Sequence, residues 1–452
     1  MSELLRTGGA LRREDRKGYR RHPFSVPPGA SRLRITFSYD PGQPFPHSLL
    51  TLSLFDPRGF RGAGHRYLPR QTIEVGLDGA TPGFVAGPLP AGEWSVEVDV
   101  HCVIARPDGA PNAYDLVIEA IAEVPGPRPD PSPAPAIAAR GPGWYRGELH
   151  LHTTHSDGLW TTAEMAAEAR DRGLDFMFLT DHNTNTGIEE LRRAVGGRAL
   201  VLPGAELTTF NGHALSLGLE RWIDWRTGLD GRSANDVARA VRDAGGVFVV
   251  AHPDAPPDDI CTGCRWTHEG FDPALAHAVE VWGGLWDGPE EENPGCVALW
   301  HLWLDAGHRL TATGATDAHH KRHWEGAVPL THVYADELSL PGILDGLRAG
   351  RTFVSSGPEL RVRAIDTDGR DWPMGATAPH SARIEAWCDA SPRAELRLVS
   401  GGAIAARVEV SGRGSASAPA SGAAWHGAEL WDVEAGRMLA ITSPIYVGPE
   451  SG

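Results

Sequence analysis

The chain has 452 residues, 41% hydrophobic and 22% charged, and carries a formal net charge of −16. That length accommodates two or three domains, and the composition is that of a globular protein rather than a fibrous or disordered one. The acidic balance argues against a nucleic-acid-coating surface, which needs a basic face, and no apolar run approaches the ~20 residues of a membrane span.

Residues 1–22 hold Arg6, Arg12, Arg13, Arg16, Lys17, Arg20 and Arg21, a basic arm expected to be a solvated terminus or to lie on an acidic surface. The start, Met1 to Thr7, has no apolar core of a secretory signal, and the cysteines 102, 261, 264, 296 and 388 are few and odd in number. Both features lead us to expect a cytoplasmic protein without a disulfide framework. From about residue 23 the pattern becomes short strands punctuated by Pro and Gly. Leu33 to Tyr39 and Trp94 to Val100 alternate apolar and polar, with Leu50 to Phe55 between them. Residues 1–124 are thus read as the arm plus a small β-sandwich of structural role.

The stretch 125–142, PGPRPDPSPAPAIAARGP, is too rich in proline for helix interiors or sheet ladders and reads as an extended linker. From 143 to 358 strands and helices alternate, which predicts an α/β domain. Thr161 with Glu164 forms a capping box ahead of a helix that Gly173 stops; Ser233 with Asp236 opens a second helix closed by Gly245 and Gly246, and a third spans 294–306. Residues 359–452 return to short strands: 360–365, 382–387, 394–399, 406–410 and a closing strand at 438–447. They suggest a second small β-sandwich, with the Gly/Ser/Ala-rich 411–424 as a loop.

The chemistry collects in the middle segment, which holds 14 of the 20 histidines. His150 and His152, two apart, point to one face of an extended strand, and Asp157 follows five residues later. Four more polar clusters close apolar runs: Asp181-His182 after 175–180, Glu206 after 199–205 with His213 seven residues on, His252 after 247–251, and Asp317-Ala318-His319 after 310–316. These are the ligand types of Zn, Mn and Fe sites, and they stand where parallel α/β barrels gather their chemistry, at the C-terminal strand ends.

The elements HLHTTHSDG, LTDHN, GAEL with a following GH, AHPD and GATDAH resemble the PHP (polymerase and histidinol phosphatase) superfamily, and within it the CehA/McbA-like metallohydrolases. The resemblance covers roughly residues 141–358. It implies a distorted (β/α)7 barrel, here flanked by the two β-sandwiches, that carries two or three divalent metal ions and hydrolyses esters. Carried over residue by residue, it implies that His150, His152, Glu206 and Asp317 hold one metal. Glu206 would bridge to a second, completed by His213 and His252, while Asp157, His182 and His319 would hold a third. A hydroxide shared between metals would be the nucleophile, Asp317 would handle its proton, and His319 would protonate the leaving group. Lys321, Arg322 and His323 directly follow the last motif and Arg265 follows AHPD, so these four are candidates for binding a substrate phosphate. Lys321 is one of two lysines in the chain.

Cys261-Thr-Gly-Cys264 has no second CxxC to complete a structural zinc site, and loop structure is the preferred reading over metal or redox use. The expected activity is a phosphoesterase acting on a small phosphorylated molecule, with no membrane or nucleic-acid partner and room for a homo-oligomer. Two alternatives stand beside it. One is a carbamate, carboxyl-ester or amide hydrolase using the same metals, with Trp266, Trp282 and Trp286 lining an apolar pocket. The other is a non-catalytic module that binds glycan or protein.

Overall fold

Alternating apolar residues build the first eight strands: β1 (Ser2–Leu11), β2 (Gly18–Val26), β3 (Arg32–Tyr39), β4 (Leu49–Asp56), β5 (Gly59–Gly64), β6 (Arg70–Gly76), β7 (Gly92–Cys102) and β8 (Asn112–Ile121). They form two four-stranded antiparallel sheets, ordered β1-β8-β3-β6 and β2-β7-β4-β5. The inward residues Leu33, Ile35 and Phe37 of one sheet share a core with Leu50, Leu52, Val96 and Val98 of the other. This computed structural model describes residues 1–43, 46–122, 134–256, 263–288 and 293–448, with the side chains of 391 and 392 left out.

The basic arm is not a solvated tail. Its first half is β1, laddered to β8 from Ser2 opposite Ala120 to Leu11 opposite Asn112, and its second half enters β2. Leu11 and Phe24 are buried, and Arg6 and Arg20 pair locally with Glu3 and Asp15, so the charges line the outer face of a strand. The expected linker at 125–142 falls partly outside the described residues, and 134–142 form no helix or strand.

The central segment is mixed α/β and rich in strands. In order it contains β9 (Gly143–Glu148), α1 (Thr162–Arg172), β10 (Phe176–Leu179), α2 (Ile188–Val195), β11 (Leu200–Thr209), β12 (Gly212–Leu217), α3 (Ala234–Asp243), β13 (Val247–Val250), β14 (Ala278–Gly283), α4 (Asn293–Asp305), β15 (Thr311–Ala315), β16 (Leu330–Ala335), α5 (Leu340–Arg348) and β17 (Thr352–Ser355). Thr161 caps α1 through its hydroxyl, and Gly173 ends it in the left-handed conformation, as the capping box and glycine predict. Helices α2 and α5 lie in stretches to which the sequence reading assigned no helix.

Strands β9, β10 and β11 pair in parallel, as do β13, β14 and β15. Between the two sets, β12 is antiparallel to both β11 and β13. The reversal is an Asn211-Gly212 turn, a tight pair suited to a hairpin, and a Cβ at Gly212 would sit 2.5 Å from the Trp266 ring. Beyond β15 a parallel bridge joins Ala318 to Leu151, with His152 N–H donating to the Ala318 carbonyl at 3.0 Å. That bridge brings the residues after β15 beside those after β9. The C-terminal ends of the first and last motif-bearing strands therefore meet.

The remaining strands are β18 (Glu359–Ile365), β19 (Asp371–Pro373), β20 (Thr377–Pro379), β21 (Arg383–Ser400), β22 (Ala403–Pro419), β23 (Trp425–Asp432), β24 (Arg437–Thr442) and β25 (Ile445–Gly448). Their core, including Leu360, Ile384, Leu396, Leu398 and Leu430, joins the central segment through the β17–β24 ladder. Most of 411–424 is not a loop: it continues β22 to Pro419, laddered on β21. Their composition favours a turn, and it is the cross-strand ladder, from Arg383 opposite Pro419 to Ala390 opposite Gly412, that holds them extended. Two sequence-expected strands, 382–387 and 394–399, are one strand with an irregularity between Ala390 and Ala394.

Candidate metal centre

Each candidate ligand is delivered by backbone geometry. His150 and His152 follow β9, His182 follows β10, Glu206 and His213 meet diagonally across the β11–β12 hairpin with His213 opposite Thr208, His252 follows β13, and Asp317 and His319 follow β15. Four groups of ligand atoms come together: His150, His152 and Asp317; His150, Glu206 and His252; His182, Glu206 and His213; and His152, Asp157, His182 and His319. All nine sequence-identified residues thus fall in one connected cluster.

Several of the spacings are wider than a hydrogen bond and match the donor separations of a metal site. Ligand bonds of about 2.0–2.1 Å in a tetrahedral site separate donor atoms by roughly 3.3 Å. Around the first point, Asp317 Oδ1 lies 3.3 Å from His150 Nε2 and 2.9 Å from His152 Nε2, and Glu206 Oε2 lies 3.4 Å from each. Glu206 Oε1 is 2.9 Å from His213 Nδ1 and 3.1 Å from His252 Nε2. Asp157 Oδ1 is 3.4 Å from His182 Nε2 and 3.3 Å from His319 Nε2. The two oxygens of Glu206 therefore face two different sets of imidazoles. Moreover His150 Nε2, His152 Nε2, Asp157 Oδ1, Glu206 Oε2, His213 Nε2, His252 Nδ1 and Asp317 Oδ1 are buried with no hydrogen-bonding partner among the described residues. Buried polar atoms rarely go unsatisfied, and five of these, His150 Nε2, His152 Nε2, Asp157 Oδ1, Glu206 Oε2 and Asp317 Oδ1, are the atoms that face other candidate ligands, which fits a cage for cations.

Charge in the cluster points the same way. Burial favours the neutral carboxyl, yet the surrounding imidazoles hold Asp157, Glu206 and Asp317 well below the usual carboxylate range. Burial likewise opposes charge on His150 and His182, but neighbouring carboxylates raise both well above the imidazole range, and His319 rises to about 9. His152 instead is pushed down to about 4 by burial and by neighbouring His319 and His182. The positive charge that the three carboxylates demand is shared among histidine protons, a place divalent cations would take.

Further residues hold the ligands in position. Glu280 accepts from or faces His150 Nδ1 at 3.1 Å, leaving Nε2 for the centre. Glu148 accepts from Thr316 N–H at 3.1 Å and Thr316 Oγ1–H at 2.9 Å, tying the β9 and β15 ends together. Asp181 accepts from Thr153 N–H, Thr153 Oγ1–H and Ser156 Oγ–H, which orders the loop between His152 and Asp157. His319 Nδ1 lies 2.8 Å from the Asp317 carbonyl, which fixes its ring. Glu280 and Glu148 were not singled out from sequence, and Asp181 was named only as the neighbour of His182. Glu280 carried a signal, a lone acid inside the apolar run Ala278-Val-Glu-Val-Trp282, whereas Glu148 and Asp181 sat inside motifs already read for their histidines.

The expected phosphate-binding cations lie elsewhere. Lys321 is exposed and reaches Glu168 Oε1 at 2.5 Å, and Arg322 is exposed. Arg265 is engaged by the Ala255 and Asp254 carbonyls at 2.9 and 3.2 Å. His323 is the exception: its Nδ1 accepts from His319 N–H at 3.2 Å, at the edge of the cluster. Trp282 and Trp286 pack together in the hydrophobic core, and Trp266 packs on His268 and Phe271. Cys264 is disulfide-bonded, while Cys102, Cys296 and Cys388 are buried thiols outside any disulfide. Cys261 lies outside the described residues.

No family model matches the chain, and no curated protein does. Among solved structures, it is similar to a two-domain protein of Bacteroides vulgatus containing a predicted PHP-like metal-dependent phosphoesterase, with TM-score 0.42 and 18% identity over 70% of this chain and 98% of the other. A protein of Bifidobacterium adolescentis named as a candidate metal-dependent phosphoesterase aligns with TM-score 0.29 and 20% identity, over 40% of this chain and 90% of the other. An amidohydrolase of Chromobacterium violaceum with bound sulfate and no metal aligns with TM-score 0.26 and 16% identity, over 38% and 87%. No helix among the described residues is long and apolar enough to cross a membrane.

Proposed function

We propose that this chain is a multinuclear metal-dependent hydrolase of the PHP type, CehA/McbA-like in its motifs, built on a distorted (β/α)7 barrel between two β-sandwiches, and that it cleaves small phosphoesters. The observation that supports the metal reading is the set of five orphaned, mutually facing side-chain atoms of His150, His152, Asp157, Glu206 and Asp317 within one buried cluster. His150, His152, Glu206 and Asp317 would hold one ion, Glu206 with His213 and His252 a second, and Asp157, His182 and His319 a third. Bound divalent ions would supply Lewis acidity toward a substrate oxygen and lower the pKa of a water.

The chain's own residues divide the remaining work by exposure. Most cluster side chains are almost fully enclosed, but Asp317 and His319 keep 29% and 25% of their surface open, so solvent and substrate meet the cluster there. In this reading Asp317 takes the proton of the attacking water, and His319 returns one to the leaving oxygen. Three carboxylates gathered with six imidazoles specify a strongly cationic loaded site, which matches a transferring phosphoryl group better than a neutral carbonyl. Burial of Trp282 in the core also removes one wall of the apolar pocket that a carbamate or ester substrate would use.

The test is metal analysis of the purified protein together with rates on nitrophenyl phosphate, bis-nitrophenyl phosphate and nitrophenyl acetate, with and without chelator. The expected result is more than one equivalent of Zn, Mn or Fe and chelator-sensitive phosphoester cleavage. Less than one equivalent under metal-replete conditions overturns the multinuclear reading, and a higher kcat/KM for the acetate overturns the phosphoester one.

A further inference from the structure

The strand end after β5 reaches the candidate metal centre, although it belongs to the amino-terminal sheets. His65 is buried, and its ring packs 4.3 Å from that of His182 and 4.8 Å from that of His101. Arg66 donates through Nη2 to the Thr154 carbonyl at 3.1 Å, within the loop that carries Asp157. Gly83 N–H donates to Thr186 Oγ1 at 3.1 Å and its carbonyl accepts from Thr184 Oγ1–H at 2.9 Å, so the same sheets are also pinned to the segment after His182. These contacts fix Tyr67, whose ring lies edge-on to His65 at 5.9 Å and to His47 at 6.0 Å.

Tyr67 combines two properties that rarely coincide. It is 44% exposed, yet burial first, and then the charges of Asp157, Glu206 and Asp317, hold its phenol above the usual pKa range. Its ring borders His65, which packs on His182, so a side chain open to solvent stands at the rim of the cluster. No described residue hydrogen-bonds its hydroxyl. A phenol is protonated at neutral pH, so this is a spare donor at the rim of the cluster. The cations that might otherwise grip a phosphate nearby are committed: Arg66 to carbonyl oxygens, Arg265 to Ala255 and Asp254, Lys321 to Glu168.

We propose that Tyr67 is a substrate-binding residue, its hydroxyl donating to a phosphoryl oxygen of a phosphorylated small molecule seated over the cluster, so that the amino-terminal sheets complete the pocket. The assignment rests on the metal-centre reading above. A phenol donor discriminates by geometry rather than charge, and its ring excludes water from the reacting end.

Inorganic phosphate serves as the probe, titrated calorimetrically into the full chain after its metal content has been measured. Tyr67→Phe should weaken phosphate about tenfold, the scale for losing one hydrogen bond to a charged acceptor. Metal content and melting temperature should not move, because the hydroxyl has no protein partner to lose. Phosphate affinity within twofold of the native chain, with metal fully bound in both, overturns the role of Tyr67 and leaves the metal centre intact. Failure of the fully loaded native chain to bind phosphate overturns it together with the phosphoryl ligand. If the native chain holds less than one equivalent of metal, the metal-centre reading itself falls, and the metal measurement tells that failure from the other two.

Discussion

Five described non-glycine residues have positive φ, and three of them stand at the candidate centre: Asn183 at 56°, His252 at 25° and Asp317 at 47°. Such backbone costs of order 1–3 kcal/mol each, and it persists where surrounding contacts dictate it. At His252 and Asp317 it aims a side chain inward at the point where the strand has ended, and at Asn183 it turns the chain just after His182. Two carboxylates then differ in kind. Glu206 faces separate imidazole sets with its two oxygens, whereas Glu280 touches only the outer nitrogen of His150. Glu206→Gln should therefore lose at least one equivalent of metal and nearly all activity, while Glu280→Gln should lower metal affinity or activity by about 10–100-fold. Equal metal content in Glu206→Gln and the native chain, measured by elemental analysis, would show that the carboxylate is not shared. The nine candidate ligands stood out because His182, Glu206, His252, Asp317 and His319 follow apolar runs while His150, His152, Asp157 and His213 stand at short spacings from one another or from Glu206. The phosphate-binding cations were not, because proximity in sequence to a ligand says nothing of which way a side chain leaves a short helical turn such as Lys321–Trp324.

At the scale of elements, β16 joins the central segment to the carboxy-terminal sheets through an unusual pair. His332 stands opposite Phe353 of β17 and stacks on it at 4.2 Å, and Arg361 of β18 covers the same ring at 4.0 Å. Burial first, and then Arg361 and Arg146, push the imidazole pKa down to about 3. The unfolded chain binds this proton near pH 6.5, so below that pH it holds more protons than the folded one and acidification favours unfolding. The stabilising difference is complete above about pH 6.5 and is lost progressively toward pH 3. His332→Gln should flatten the fall of stability between pH 6.5 and 4, by at most about 1.4 kcal/mol per pH unit. Denaturant melts of both proteins at several pH values check this; parallel curves would mean that His332 does not titrate differently in the two states. Helix α1 and the strands ending in ligands were legible because capping residues and apolar runs act locally. The extent of β22 and the pairing of β1 with β8 were not, since both depend on a partner strand far along the chain.

At the scale of the whole molecule, the amino-terminal sheets have no candidate ligand, yet they are docked on the central segment along a broad seam. Phe60 stacks on Trp222 at 4.9 Å, Arg226 donates to Glu97 at 3.0 and 3.2 Å, Tyr19 packs on Phe210 at 4.8 Å, and Lys17 Nζ donates to Asn211 at 2.9 Å. Burial raises the Glu97 pKa, and Arg226 works against that, as expected for an ion pair drawn into the seam. Domain boundaries at 125–142 and 358 remain our proposal, and a chain beginning at Pro142 tests the first of them. All nine candidate ligands lie between His150 and His319, so this shortened chain should hold the native amount of metal. It should melt lower, because Trp222 and Phe210 lose their cover, and it should bind phosphate more weakly than Tyr67→Phe does, because the whole wall carrying His65 and Tyr67 is gone. Native metal content with weakened phosphate binding would separate holding the ions from forming the pocket. Loss of metal from a soluble, folded shortened chain would instead show that the sheets complete the ion cage itself, through the packing of His65 on His182.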